Sequence, residues 1–126
     1  MILSGWHIDG YGIFSDASQP NLGPGLTVFH GPNEAGKSTL LTFLRGVLFK
    51  YPTKSQTDYV PPLRGGSHGG RVFVRDEQGG EWTVERHVGK RSPVILRPDG
   101  TDGDESDLQK LLHGFDKASF RAVYGF

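Results

Sequence analysis

One stretch of this sequence has the residue types and spacing for chemistry on phosphate. From Gly31 to Thr39 it reads Gly-Pro-Asn-Glu-Ala-Gly-Lys-Ser-Thr. This satisfies the pattern G-x-x-x-x-G-K-[ST], with Gly31, Gly36, Lys37 and Ser38 at the fixed positions. The first N–H groups of a helix have no internal partners, and the helix dipole adds about half a positive charge at that end. Glycines let the chain close around an anion, so such a loop becomes a nest of donors for phosphate oxygens. In that arrangement Lys37 reaches the β- and γ-phosphates, Ser38 sets its hydroxyl on Mg²⁺ and Thr39 bonds the α-phosphate. Pro32, Asn33, Glu34 and Ala35 complete the loop, and the ligands implied are ATP and Mg²⁺. The Glu34 carboxylate would repel phosphate if turned inward, so it is expected to face solvent or a partner chain. The bland alternative is a glycine-rich turn ahead of a core helix, and the flanking elements decide between the two.

Those elements stand in the right order. Leu26–His30 is a β-branched and aromatic run that reads as a strand leading into the loop. The run from Lys37 to about Phe49 reads as a helix, with Leu40, Leu41, Phe43, Leu44, Val47 and Leu48 spaced for burial. These residues occupy more than one face, as in a helix buried from two sides. Gly46 lies inside it at a cost of about 1 kcal/mol relative to alanine, which suggests close packing. Arg45 and Lys50 read as a solvated edge.

Upstream, Ile2–Asp9 reads as a strand with Trp6 and Ile8 on one face and His7 and Asp9 on the other. Gly10 and Gly12 bracket Tyr11 at a bend, Ile13–Gln19 reads as a second strand, and Pro20–Gly25 as a turn. Tyr11 and Phe14 read as packing residues in preference to adenine-stacking ones. Downstream, Tyr51–Gly70 is a long irregular segment broken by Pro52, Pro61 and Pro62. Lys54, Arg64 and His68 are its groups able to approach a nucleotide or a DNA backbone, although a plain surface loop is the preferred reading. Arg71–Asp76 and Glu81–Val88 alternate, with Val72, Val74, Trp82, Val84 and Val88 in one pattern and Glu77–Gly80 as the turn of a hairpin. Pro93–Arg97 adds a possible strand. Ser106-x-x-Gln109 reads as a capping box ahead of Leu108, Leu111, Leu112 and Phe115 at helical spacing. Gly114 is placed as a C-cap, and Asp116 as the cap of a last helix that turns Phe120 and Val123 inward. Asp102, Asp104, Glu105 and Asp107 read as a solvated turn and helix start, not as paired acid–base groups.

The bulk properties narrow the class. The chain has 126 residues, enough for one domain, with 14 basic and 14 acidic residues and no net charge. A dedicated DNA-binding module is usually basic, so this chain is a poor main DNA contact. There is no cysteine, and the five histidines are scattered without ligand spacing. The N-terminus lacks the basic and apolar regions of a signal peptide, and no run approaches the ~20 apolar residues of a membrane span. The default is a cytoplasmic protein. Glycine, at 19 residues, clusters as Gly65-Gly66, Gly69-Gly70 and Gly79-Gly80, which suggests tight turns between short strands.

The loop Gly-Pro-Asn-Glu-Ala-Gly-Lys-Ser-Thr-Leu resembles the Walker A segment of SMC-like ABC ATPases, especially the YhaN-type and SbcC-type proteins. Tyr59-Val60-Pro61-Pro62, Gly69-Gly70-Arg71-Val72 and Trp82-Thr-Val-Glu-Arg86 resemble later parts of those heads. The resemblance implies an α/β P-loop NTPase fold, with residues 1–126 forming the N-terminal lobe of a head: a mixed sheet, an antiparallel hairpin and the Walker A helix. Many such heads carry a phosphate-contacting arginine just after an aromatic in the first bend. Gly12 stands there in this chain, so that contact is not carried over. The family implies ATP sandwiched with a second head in a homodimer, and in the whole protein a nuclease partner and DNA in repair or processing. The Q-loop, signature motif, Walker B acids and coiled coil are expected after Phe126. Two other readings stay beside this one. One is a nucleotide-binding switch that does not hydrolyse. The other is a P-loop kinase, which the Gly-Pro loops and hairpin disfavour because kinases continue with repeated strand–helix units.

Phosphoryl transfer needs an oriented water and charge stabilisation from several sides. The chain alone is therefore expected to bind ATP but to hydrolyse it barely or not at all. In P-loop folds a Walker B strand lies beside the Walker A strand, so Leu26–His30 is expected to expose an edge that invites another chain. Sedimentation of the isolated chain should show dimers or larger species, and a clean monomer at high concentration would contradict this.

Overall fold

The computed structural model describes residues 2–19, 34–56, 59–90 and 92–112, and of residues 2, 19 and 34–38 it describes the main chain. Five strands, β1 (Ile2–Tyr11), β2 (Phe14–Gln19), β3 (Gly69–Arg75), β4 (Glu81–His87) and β5 (Val94–Leu96), join in one sheet ordered β2-β1-β3-β4-β5. Helix α1 (Glu34–Leu48) packs on one face, and α2 (Glu105–Leu111) lies beside β5.

All pairings among the described strands are antiparallel; the expected mixed sheet also includes Leu26–His30, which lies outside them. For β1–β2 and β3–β4 the connections explain it: Gly12-Ile13 and the turn before Glu81 are too short for the crossover that a parallel pair needs. The expected strand Leu26–His30, the turn Pro20–Gly25, Gly114, Phe115, Asp116, Phe120 and Val123 lie outside the described residues.

Strand β1 extends through the expected bend as far as Tyr11, and its register explains how it serves the core. Leu3 and Trp6 are three residues apart, as are Ile8 and Tyr11, so a regular strand would turn the members of each pair to opposite faces. Register shifts against β3 fall between Leu3 and Gly5 and between Ile8 and Gly10. Each shift adds one residue to β1 and restores the face. Leu3, Trp6, Ile8 and Tyr11 are all buried, with Val72 and Val74 of β3, Val84 of β4 and Ile95 of β5. Val88, expected in the same pattern, lies past the end of β4 and is exposed.

Helix α1 begins almost a turn earlier than expected, since Glu34 and Ala35 suit a first turn. It buries Leu40, Leu41, Phe43, Leu44, Val47 and Leu48, as its pattern requires. Arg45 is also buried, which corrects its reading as a solvated edge. The chain after the helix turns back, so that Arg45 shares a recess with Lys50, Tyr51 and Thr53. Its apolar stem can line such a recess while the charged head meets polar groups.

Helix α2 is capped two residues before the expected Ser106. Asp104 is the N-cap: its carboxylate accepts from Asp107 N at 3.0 Å, and Asp107 Oδ2 accepts from Asp104 N at 3.0 Å. Aspartate caps as well as serine. Arg97 Nη2 donates to Asp107 Oδ2 at 3.1 Å and ties this box to the end of β5. Ser106 supports the cap with a 2.6 Å bond to Asp104 Oδ1, and Leu108 is buried.

Gly46 shows the close packing its position suggested, because a Cβ there would overlap the Tyr51 ring. Helix propensity alone favours Gly46→Ala by about 1 kcal/mol. Overpacking a buried ring costs about 1–3 kcal/mol, and Tyr51 is held by neighbours on several sides. Gly46→Ala should therefore lower the midpoint of urea unfolding, and a raised midpoint would show that Tyr51 is free to move aside.

Candidate nucleotide site

The main chain places Glu34, Ala35, Gly36, Lys37 and Ser38 in the opening turns of α1. Gly31, Pro32 and Asn33 lie outside the described residues, as do the side chains of residues 34–38 and with them the expected outward turn of Glu34. Thr39 is half-buried, and its surroundings show how the helix start is fixed. Gly12 has φ +57, and a Cβ there would sit 2.7 Å from Thr39 Cγ2 and 3.0 Å from Val60 Cγ1. Only glycine accepts this conformation at this separation without strain. Gly12 N donates to Pro61 O at 3.0 Å, and Leu63 N donates to Gly12 O at 2.9 Å. The bend of β1 is thus wedged between the start of α1 and the 60–63 segment. An arginine at position 12 would strain the backbone and force the Thr39 side chain to shift.

The far end of α1 is fixed from β4. Arg86 Nε donates to Val47 O at 2.9 Å, which satisfies a carbonyl near the helix end and puts positive charge where the dipole favours it. Tyr51 OH donates to Arg86 O at 2.9 Å. Burial pushes the Tyr51 phenol far above its usual range and lowers the Arg86 guanidinium. Between the two ends lies an aromatic cluster. Tyr11 meets Phe43 edge-on with centroids 5.6 Å apart and lies 5.5 Å from Tyr51. Tyr11 is fully buried, so packing is its role, as the sequence suggested, and Phe14 packs edge-on against Trp6 at 6.3 Å.

The long segment after α1 separates its three candidate ligands. Lys54 and Arg64 are exposed. His68 is half-buried: its Nε2 lies 2.7 Å from Val60 O, and its ring stacks on Tyr51 with centroids 6.3 Å apart. Burial holds its pKa below the usual histidine value. His68 fastens the loop to the core instead of reaching for a ligand.

Sequence reasoning missed two groupings. Arg86 was read as part of a strand motif and proves to be the tie to α1. The histidines were read as scattered, yet His7 and His87 meet on either side of Asp9, with Nε2 to carboxylate distances of 3.1 and 2.8 Å. The available signal was that His7, Asp9, Glu85 and His87 all fall opposite the apolar positions of their strands; the pairing that brings the first strand to the hairpin had no signal. Among the described residues no helix is long and apolar enough to cross a membrane.

A glycine-rich G-x-x-x-x-G-K-[ST] loop opening a helix that is pinned across a sheet defines the class, a P-loop NTPase domain. The chain belongs to the family described as AAA domain, whose sequence model matches residues 1–126. It is 30% identical over 121 residues to the uncharacterized protein YhaN of Bacillus subtilis (strain 168), a match that takes in 95% of this chain and 12% of that protein. The kinship with YhaN-type, SMC-like ATPases that the loop suggested is therefore shown, for a chain spanning about an eighth of that relative's length. No solved structure matches the chain.

The Arg86 tie yields a measurable expectation. Arg86→Met keeps the apolar stem but leaves Val47 O without this donor, at a loss of about 1–3 kcal/mol. Urea unfolding should show the lower midpoint, and an unchanged midpoint would mean that water replaces the guanidinium without loss.

Proposed function

We propose that this chain binds ATP with Mg²⁺ as the Walker A lobe of an SMC-like ATPase head. The observation that carries the reading is the Gly31–Thr39 motif at the opening of α1, in a chain of the AAA domain family. The donor set fits the ligand: backbone N–H groups and Lys37 suit phosphate oxygens, and a serine hydroxyl suits Mg²⁺, which prefers oxygen. When bound, the metal would neutralise phosphate charge. Lys37 adds a point charge to the same phosphates, Ser38 supplies the metal ligand and Thr39 steadies the α-phosphate. Gly31, Pro32, Asn33, Glu34, Ala35 and Gly36 shape the cradle.

In the whole protein this lobe would engage a second head across ATP, in the cytoplasm, and serve DNA repair or processing beside a nuclease. That part rests on kinship with YhaN-type and SbcC-type proteins, since the chain carries no net charge. Hydrolysis would need the water-orienting and acidic residues of the remaining head. The antiparallel sheet of the described residues speaks against the P-loop kinase reading, which calls for a parallel one.

Ligand at 100 times its dissociation constant stabilises a fold by about 2.7 kcal/mol. Saturating ATP should raise the melting temperature of the native chain accordingly, and Lys37→Ala should remove most of that gain while leaving the ligand-free melt unchanged. Ser38→Ala should weaken Mg·ATP more than metal-free ATP. Equal ATP shifts in native and Lys37→Ala chains would overturn the site, and equal losses for both ligand forms would remove Ser38 as the metal ligand.

A further inference from the structure

The sheet face opposite α1 gathers ligating side chains from strands far apart in sequence. His7, Arg71 and Glu85 stand side by side on β1, β3 and β4, and Gly10, Gly69 and His87 form the next such row. His87 Nε2 lies 2.8 Å from Asp9 Oδ2, and His7 Nε2 lies 3.1 Å from Asp9 Oδ1. One donor atom each from Asp9, Glu85 and His87 falls within 4.8 Å of the other two. All three residues are half-buried.

Two features of the backbone make this meeting possible. Strands β1 and β4 are not neighbours, since β3 runs between them and places them about 9.5 Å apart. Side chains bridge that gap only where the middle strand has none in the way, and the residue in the middle is Gly69. A Cβ on Gly69 would sit 2.7 Å from His87 Cα and 2.9 Å from His87 Cδ2, and its φ of +148 also disfavours a side chain. The second feature is the register shift between Ile8 and Gly10. It leaves Asp9 as the extra residue of a bulge, and bulges re-aim side chains.

We propose that Asp9, Glu85 and His87 form a binding site for a Zn²⁺-class divalent cation on the outer face of the sheet. One imidazole nitrogen with two carboxylates suits zinc, whereas Mg²⁺ and Ca²⁺ take oxygen shells. Zinc bonds of about 2.0–2.2 Å in a tetrahedron put donors about 3.4 Å apart, so the three groups close on the metal by side-chain rotation. The short contact between His87 and Asp9 opens slightly as the metal takes the place of the proton. His7, on the far carboxylate oxygen, holds Asp9 in orientation, an arrangement that steadies metal ligands. Three protein ligands leave the fourth position to water or to a group from a partner. Bound metal would tie β1 to β4 across β3.

Titration of the nucleotide-free full chain with Co²⁺, then Zn²⁺, tests the site. One equivalent of Co²⁺ should bind with the visible d–d absorption of a tetrahedral complex, and Zn²⁺ should displace it. His87→Ala and Glu85→Gln should each weaken Zn²⁺ binding at least about tenfold. Glu85→Gln preserves shape at a half-exposed position and keeps the test readable if His87→Ala unfolds. His87→Cys should restore binding and add thiolate-to-cobalt charge-transfer absorption, assignable because the native sequence has no cysteine. Absence of tetrahedral absorption, or undiminished affinity in the Glu85→Gln chain, would overturn the proposal.

Discussion

The structure depends on β1 gaining a residue twice against β3. Without those two shifts, half of its large side chains would face away from α1, and no alternation of residue types would repair that. With them, Leu3, Trp6, Ile8 and Tyr11 make a continuous apolar floor under the helix. The same irregularity that completes the core also lifts Asp9 toward the outer face, where it meets His7 and His87. One backbone device therefore builds both the seat of the phosphate-loop helix and the polar cluster behind it.

Helix α1 is held at both ends as well as along its length. Near its start, the bend at Gly12 fits against Thr39, and near its end, Arg86 takes the carbonyl of Val47. Apolar contact fixes distance from the sheet but resists sliding weakly, since it is non-directional. The directional bonds at Arg86 and Tyr51 supply the missing constraint along the helix axis. Placement of a loop that must match phosphate oxygens within a fraction of an ångström benefits from that kind of support.

Much of this was legible in the sequence because the signals are local. The hairpin of β3 and β4, the buried stripe of α1 and the packing role of Tyr11 each follow from spacing within a single short stretch of chain. The capping box lies two residues before Ser106 because Asp104 and Ser106 are both good caps, and the anchoring of Asp107 by Arg97 favours the earlier one. Arg45 was misread because its burial comes from the chain folding back after the helix, which periodicity does not encode. The Asp9 cluster was hidden for a related reason. Its members lie nearly eighty positions apart, as His87 and Asp9 show, and their meeting turns on the missing side chain of Gly69.

The wedge at Gly12 also limits what the bend can accept. The glycine stands at φ +57 with the Thr39 methyl closing the space. Acquiring an arginine there would strain the backbone and collide with a residue of the phosphate loop itself. Replacing Gly12 thus calls for a compensating shift or substitution at Thr39 or Val60, so these positions are coupled across the bend.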